Sequence, residues 1–185
     1  FTVKVIDVVK PTIVAPSDIQ INLNSTNCNG TNVDLGTAVT SDNCSVSNVT
    51  NNAPTVFLLG KTIVTWTVTD NSGNKATAIQ NVTITDVSAP VINCPSQNNL
   101  IVKNVTAGEC GYIVSDTSLD ATAAENCELI SLTHNYSAWT NPYSLKGATF
   151  PIGTTHVVWT AVDASGNTST CERDIKVEDK EAPVF

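Results

Sequence analysis

The chain alternates hydrophobic and polar side chains over short stretches. Between Ile63 and Thr69, the hydrophobic residues Val64, Trp66 and Val68 alternate with residues that suit a solvent-exposed face. The stretches 82–85 and 175–178 repeat the alternation. A period of two puts successive side chains on opposite faces of a strand. These stretches are therefore predicted to be β-strands with one buried face.

Clusters of Asn, Gly, Ser and Pro separate the strands at intervals of about ten residues, and no helical periodicity appears between them. Short strands at this spacing are typical of antiparallel β-sandwiches. The pattern predicts an all-β protein with seven or so strands in each sandwich.

The chain contains an internal repeat. The pentapeptide Asp-Asn-Ser-Gly-Asn at 70–74 matches Asp-Ala-Ser-Gly-Asn at 163–167, and each follows a tryptophan by four residues. The match extends upstream, where 57–66 aligns with 150–159 without a gap. Self-similarity of this length predicts two copies of one structural unit.

Linkers that run from an aspartate to a proline mark the boundaries of the copies, at 7–11, 86–90 and 179–183. We therefore predict the last strand of a preceding repeat at 1–8, sandwiches at 9–87 and 88–179, and the start of a following repeat at 180–185. The second copy is longer, and most of its extra residues lie between Cys127 and Trp159. Each linker has three residues between aspartate and proline, which predicts an end-to-end rod with restricted bending.

The six cysteines are interpreted through the repeat. Cys94 and Cys171 align with Ala15 and Ala78, so both are absent from the first copy together. Joint absence indicates a disulfide between Cys94 and Cys171. The remaining cysteines are predicted to pair within each copy, as Cys28 with Cys44 and Cys110 with Cys127.

Composition and charge limit the setting and the partners. The cysteines form no Cys-x-x-Cys pair, and the chain is rich in Asn, Thr, Ser and Val, which favours an extracellular compartment. A net charge of −8 with only nine Lys and Arg argues against nucleic acid. No run approaches the length that inserts into a membrane. We expect a piece of a longer precursor.

The residues quoted above, together with Ala-Pro-Val-Ile-Asn-Cys-Pro at 89–95, Glu-Asn-Cys at 125–127 and Phe-Pro-Ile-Gly-Thr-Thr at 150–155, resemble the hyalin repeat (HYR) family. The resemblance implies immunoglobulin-like sandwiches without a catalytic role, in extracellular adhesion proteins. The composition also resembles the repetitive surface adhesins of gliding bacteria. The family implies a stalk or adhesion module whose partners are neighbouring repeats and a surface polysaccharide or protein.

The pentapeptide has two interpretations. Its Asp, Ser, Gly and Asn suit a tight hairpin turn with one residue at positive φ. Alternatively, the ends of an immunoglobulin-like sandwich bring acidic residues of a linker and two loops together, and three carboxylates without a nearby cation favour Ca²⁺. The candidate ligands are Asp7, Asp42 and Asp70 in the first copy, and Asp86, Glu125 and Asp163 at the junction with the second. Spread, solvated carboxylates are the other possibility.

The extra segment of the second copy carries Trp139 and Tyr143. Exposed aromatic rings there would bind a sugar, which suggests a carbohydrate-binding accessory region of a secreted enzyme as the alternative function. A loop that folds its own ring inward is the simpler interpretation. No serine-hydrolase or zinc-protease motif is present, and catalysis is not expected.

Overall fold

The computed structural model describes residues 1–3, 5–24 and 27–182. Within these ranges it contains β-strands and turns and no helix, so no helix long and apolar enough to cross a membrane is found there. The chain divides into two compact units, Phe1–Val87 and Ser88–Phe185. The all-β prediction is confirmed.

The first unit is built on a four-stranded sheet. Its strands, in the order β2 (Ile19–Leu23), β8 (Lys75–Asp86), β7 (Gly60–Asp70) and β5 (Val46–Asn51), pair antiparallel except for β2 and β8, which are parallel. Two strand pairs complete the unit. β1 (Thr12–Val14) pairs with β4 (Val39–Ser41), and β3 (Asn29–Thr31) pairs with β6 (Val56–Leu58).

Alternation along β7 and β8 produces the core of the first unit, as the sequence predicts. Every second residue of β7 from Val64 to Asp70 is buried, and the same holds for β8 from Gln80 to Asp86. Val64, Trp66, Val82 and Ile84 from these strands pack with Phe57 of β6. Apolar side chains of β1 and β2 cover the same cluster. Two layers therefore enclose one hydrophobic core.

The second unit repeats this topology. Its four-stranded sheet has the order β10 (Leu100–Asn104), β16 (Thr168–Glu178), β15 (Gly153–Asp163) and β13 (Leu129–His134), with β10 and β16 parallel. β9 (Val91–Asn93) pairs with β12 (Thr122–Ala124), and β11 (Gly111–Ile113) pairs with β14 (Thr149–Pro151). The described part of each unit thus has eight strands rather than seven.

The extra strand arises where the first strand of each sandwich breaks in two. In the first unit, β1 pairs in one layer and β2 in the other, and Ala15, Pro16, Ser17 and Asp18 lie between them. Proline has no N–H group to donate to a ladder, so it suits the crossing from one layer to the other. No strand is assigned among residues 1–3 and 5–11. The prediction of a strand over 1–8 that belongs to a preceding repeat stays a prediction.

The disulfide between Cys94 and Cys171 is present. Cys94 directly follows β9, and Cys171 lies opposite Trp159 in the β15–β16 ladder. Ala78 occupies the same register opposite Trp66 in the first unit, in agreement with the alignment of the repeats.

The two predicted disulfides within the repeats are wrong. A Cβ added at Gly30 would lie 2.8 Å from Ile84 Cδ1, so Cys28, two residues earlier, lies near the end of β8. Asn43 and Cys44 lie instead beside the turn at the start of β8, where Asn71 Nδ2 bonds to the neighbouring Ser45 Oγ. Nine residues of ladder, about 30 Å, separate these ends, whereas disulfide-linked Cα atoms lie within about 7 Å.

Cys110 and Cys127 are separated in the same way. Cys110 precedes β11, and the nearby Val105 N–H donates to Glu178 O at the end of β16. Cys127 is next to Glu128, whose carbonyl accepts from Ala164 N–H at the opposite end of the sheet. The spacing of cysteines along the chain could not reveal that each pair spans the length of its sandwich.

Candidate metal centre

The turn between β7 and β8 is closed by one aspartate. Asp70 Oδ1 accepts hydrogen bonds from Ser72 N at 2.9 Å and Asn74 N at 2.7 Å, and Asp70 Oδ2 accepts from Asn74 Nδ2 at 2.7 Å. Gly73 has φ +92°, which glycine adopts without strain. The hairpin interpretation of the pentapeptide is confirmed, with the carboxylate buried as its anchor.

The turn of the second unit has the same bonds. Asp163 Oδ1 accepts from Ser165 N at 2.9 Å and from Asn167 N at 2.7 Å, and Gly166 has φ +87°. The recurrence of the pentapeptide is therefore explained by a local geometry that the two repeats share.

Asn74 also holds the linker in place. Its Nδ2 group donates to the carbonyl oxygens of Asp7 at 3.2 Å and Val9 at 3.1 Å. Sequence reasoning assigned no such role to Asn74, although the last position of the pentapeptide is asparagine in both copies. These two hydrogen bonds from Asn74 hold Asp7 next to the turn.

Three carboxylates of the first unit meet at this end of the sandwich. One oxygen each from Asp7, Asp42 and Asp70 lies within 4.8 Å of the others. None of the ion pairs found among the described residues includes any of the three. The predicted convergence of linker, loop and turn is therefore present, and no basic side chain neutralises it there.

Each of the two partly buried carboxylates uses only one of its oxygens in hydrogen bonds. Asp7 Oδ1 accepts from Val9 N at 3.0 Å and Asn43 Nδ2 at 3.3 Å, and Asp42 Oδ2 accepts from Cys44 N and Ser45 N at 2.9 Å. Asp7 Oδ2 and Asp42 Oδ1 are buried without a hydrogen-bond partner. Buried acceptor oxygens normally have a partner. A hard cation would provide one, because carboxylate oxygens are its preferred ligands.

The pKa values of Asp7 and Cys44 are shifted by their surroundings at this end of the sandwich. The Val9 N–H bond lowers the pKa of Asp7, and Asn43 and Cys44 also favour its ionised form. A hydrogen bond to Asp7, together with the charges of Asp7, Asp42 and Asp70, raises the pKa of the Cys44 thiol. The carboxylates thus create a negative site that disfavours a further anion.

The second unit carries two of the three residues predicted for the other site. Carboxylate oxygens of Glu125 and Asp163 lie within 4.8 Å of each other. Glu125 Oε1 accepts from Asn126 N at 2.7 Å, while Oε2 is buried without a hydrogen-bond partner. Asp86 is the last residue of β8 in the first unit.

The two aromatic residues of the extra segment differ in their surroundings. Trp139 packs against the core cluster of the second unit and donates from Nε1 to Ser144 O at 3.0 Å. A Cβ at Gly147 would lie 3.0 Å from its ring. The half-buried ring is folded inward, as the simpler interpretation predicts, whereas Tyr143 is exposed. Sugar binding by Trp139 and Tyr143 stays a prediction.

Comparison with known proteins identifies the family of the chain. The sequence profile of the HYR domain matches residues 85–177. Hyalin of Lytechinus variegatus is 32% identical over 96% of this chain and 33% of its own length. A Sushi, von Willebrand factor type A, EGF and pentraxin domain-containing protein 1 of Rattus norvegicus is 31% identical over 68% of this chain and 3% of its own length.

The chain belongs to the HYR domain family. It spans a third or less of the length of these curated relatives. Those relatives are animal proteins, and they give no support to an origin in gliding bacteria. Among solved structures, fibronectin(III)-like modules of Clostridium thermocellum CbhA match 94% of this chain and 99% of theirs, with 10% identity and a TM-score of 0.38.

Proposed function

We propose that the chain is a non-catalytic segment of a secreted or cell-surface adhesion protein, in which tandem HYR repeats form a calcium-dependent stalk. Membership of the HYR family and the similarity to hyalin support the class of protein. The Cys94–Cys171 disulfide supports an oxidising, extracellular location. A stalk needs folded units and controlled joints rather than a reactive centre.

The acidic cluster of Asp7, Asp42 and Asp70 is the observation that carries the calcium proposal. Three carboxylates held within 4.8 Å repel one another, and two of their oxygens are buried without partners. Ca²⁺ takes six to eight oxygen ligands from carboxylates, carbonyls and water, so it satisfies these oxygens and removes the repulsion. A thiolate or imidazole metal is disfavoured, because the cluster offers carboxylate oxygens only.

Repeat equivalence extends the proposal to a second site. Asp86 corresponds to Asp7 as the linker aspartate, Glu125 to Asp42 before the Asn-Cys dipeptide, and Asp163 to Asp70 at the turn. We propose that these three residues bind a second Ca²⁺ at the junction of the repeats. One ion per linker would then follow along an array of such repeats.

Calorimetric titration of Ca²⁺ into the full 185-residue chain tests the proposal. We expect two bound ions, with dissociation constants on the order of 10⁻⁴ to 10⁻³ M, as for extracellular modules. The double variant Asp7→Asn and Asp42→Asn should lose one ion, because the amide side chains keep an acceptor oxygen but not the charge.

Asp34→Asn is the matched control, since Asp34 also caps a turn through a backbone N–H but lies outside the cluster. It should leave both binding events intact. Absence of calcium heat in the unchanged chain, or equal loss in the control, would refute the metal site and leave the clusters as turn-capping aspartates.

The alternative function, a carbohydrate-binding accessory region, is not favoured by the structure. Its main candidate, Trp139, is packed inward, and Tyr143 alone offers no pair of rings to hold a sugar.

A further inference from the structure

The entry linker of the first unit, residues 7–11, lies against the turn between β7 and β8. One amide group joins the two, because Asn74 Nδ2 donates to Asp7 O at 3.2 Å, to Val9 O at 3.1 Å and to Asp70 Oδ2 at 2.7 Å. The two linker acceptors are backbone carbonyls. The contact therefore sets the path of the main chain at Asp7 and Val9, and not only the position of one side chain.

The linker itself has no strand to order it. No strand is assigned between residues 5 and 11, while Val8 and Lys10 are exposed. Its remaining contacts are few: Asp7 Oδ1 accepts from Val9 N at 3.0 Å and from Asn43 Nδ2 at 3.3 Å, and Pro11 is buried. Asn74 thus makes the hydrogen bonds that connect the linker backbone to the sheet.

The turn does not need the Asn74 side chain in order to close. Asp70 Oδ1 accepts from Ser72 N at 2.9 Å and Asn74 N at 2.7 Å, and Asp70 N donates to Asn74 O at 3.1 Å. All of these bonds use the backbone of Asn74 or of Ser72. Removal of the Asn74 amide group should therefore free the linker and leave the hairpin closed.

We propose that the Asn74 side chain fixes the entry linker to the first unit, and that it does so without a cation. From the sequence, the proline of the linker restricts bending. Proline sets its own φ and biases only the residue before it, which is Lys10, so it does not order residues 7–9. With Asp7 and Val9 fixed by Asn74, bending of the backbone is confined to the residues before Asp7.

The same contact makes Asn74 a positioning residue for the calcium site, and this step rests on the proposed function. Asp7 supplies one of the three carboxylates that lie within 4.8 Å of one another. A linker that is already in place presents Asp7 to the ion. A detached linker would lower the apparent affinity by the fraction of molecules in which Asp7 is in place.

Backbone order parameters of residues 7–9, measured by NMR on the full 185-residue chain in a chelator, test the proposal. We expect values of about 0.85 in the unchanged chain and below about 0.6 in Asn74→Ala. The Val9 amide should also exchange faster in the variant. Hydrogen exchange in β7 and β8 should stay the same, because the backbone bonds of the turn remain.

Asn48→Ala is the matched control, since Asn48 is exposed on β5 of the same unit and its side chain has no hydrogen bond among the described residues. It should leave the linker ordered. Pro11→Ala should also leave residues 7–9 ordered. A linker that stays ordered in Asn74→Ala, or that loses order only in Pro11→Ala, would overturn the proposal.

Calorimetric titration with Ca²⁺ separates this proposal from the metal site. Asn74→Ala should raise the dissociation constant of one ion about tenfold, and Asn48→Ala should not change it. A loosened linker with unchanged calcium affinity would overturn the positioning role. An ordered linker in a chain that binds no calcium, lost in Asn74→Ala, would refute the metal site and support fixation of the linker by Asn74.

Discussion

Gln80 shows how a buried polar residue joins the layers of the first sandwich. It lies on β8 at an inward position, where its Oε1 accepts from Trp66 Nε1 at 3.0 Å. Its Nε2 group donates to Ser17 O at 2.8 Å and Leu35 O at 3.1 Å. One amide thus satisfies the indole and two loop carbonyls, and all of its own hydrogen-bonding groups are used.

In the second unit, a different side chain bonds to the loop carbonyls. Arg173 occupies the register of Gln80, and its guanidinium donates to Pro95 O at 3.3 Å and Ser96 O at 2.9 Å. It does not reach the indole, and Trp159 Nε1 is buried without a hydrogen-bond partner. The arginine therefore secures the loop after β9 but leaves one donor unsatisfied.

Gln80→Leu should lower the free energy of unfolding of the first unit by about 2 to 4 kcal/mol, because an indole N–H and two carbonyls lose their partner. Urea denaturation followed by amide hydrogen exchange in β7 and β8 measures the loss. Gln20→Leu is the control, since Gln20 is exposed on β2. A change within about 0.5 kcal/mol for both variants would contradict the role assigned to Gln80.

The residues of the two acidic clusters were predictable to different degrees. Asp70 and Asp163 were identified because the pentapeptide repeats, and Asp7 and Asp42 because linker and loop share one end of the sandwich. Which oxygens remain unpaired depends on side-chain rotamers, so sequence alone could not reveal it. Gln80 breaks the apolar alternation of β8, and that break was the available signal for its structural role.

The elements of the two repeats differ mainly in the segment between β13 and β14. Asp120, in the loop between β11 and β12, accepts from Ser144 Oγ at 2.6 Å and Leu145 N at 2.7 Å, which anchors the segment on that loop. Leu145 and Trp139 then extend the core. Alternation predicted the strands, but it could not indicate that this longer connection packs inward, because its aromatic residues follow no period.

The Cys94–Cys171 disulfide belongs to the same enlarged unit. It fastens the chain after β9 to β16 across 77 residues of sequence. The first unit has Ala15 and Ala78 at these places and keeps the same topology without the bond. The bridge is therefore an added restraint rather than a requirement of the fold.

Replacement of Cys94 and Cys171 together by alanine should destabilise the second unit by about 2 to 4 kcal/mol, because the restraint on the unfolded chain is lost. Hydrogen exchange should show lower protection in β15 and β16, with β7 and β8 unchanged. The reverse variant, Ala15→Cys with Ala78→Cys, should form a disulfide and raise protection in the first unit. Failure of that bond to form in an oxidised preparation would contradict the equivalence of the two positions.

The whole chain is acidic, and some of its carboxylates lie at the linkers. Seventeen Asp and Glu stand against nine Lys and Arg, yet the six candidate ligands come from only two sets of linker, loop and turn. If the linkers bind calcium as proposed, carboxylates collected there couple the joints to the cation concentration. In the proposed stalk, calcium neutralises the carboxylates at the joints.

Calcium removal should therefore loosen the joint without unfolding either sandwich. The proposed ion would bind Asp86 from one repeat and Glu125 and Asp163 from the next, so it restricts the linker, while the hydrophobic cores do not depend on it. Small-angle scattering with Ca²⁺ and with a chelator should show a more extended, less flexible particle in calcium.

Asp86→Asn with Asp163→Asn should abolish that difference, while Asp34→Asn should preserve it. Identical scattering profiles under both conditions would show that the junction carboxylates do not stiffen the chain.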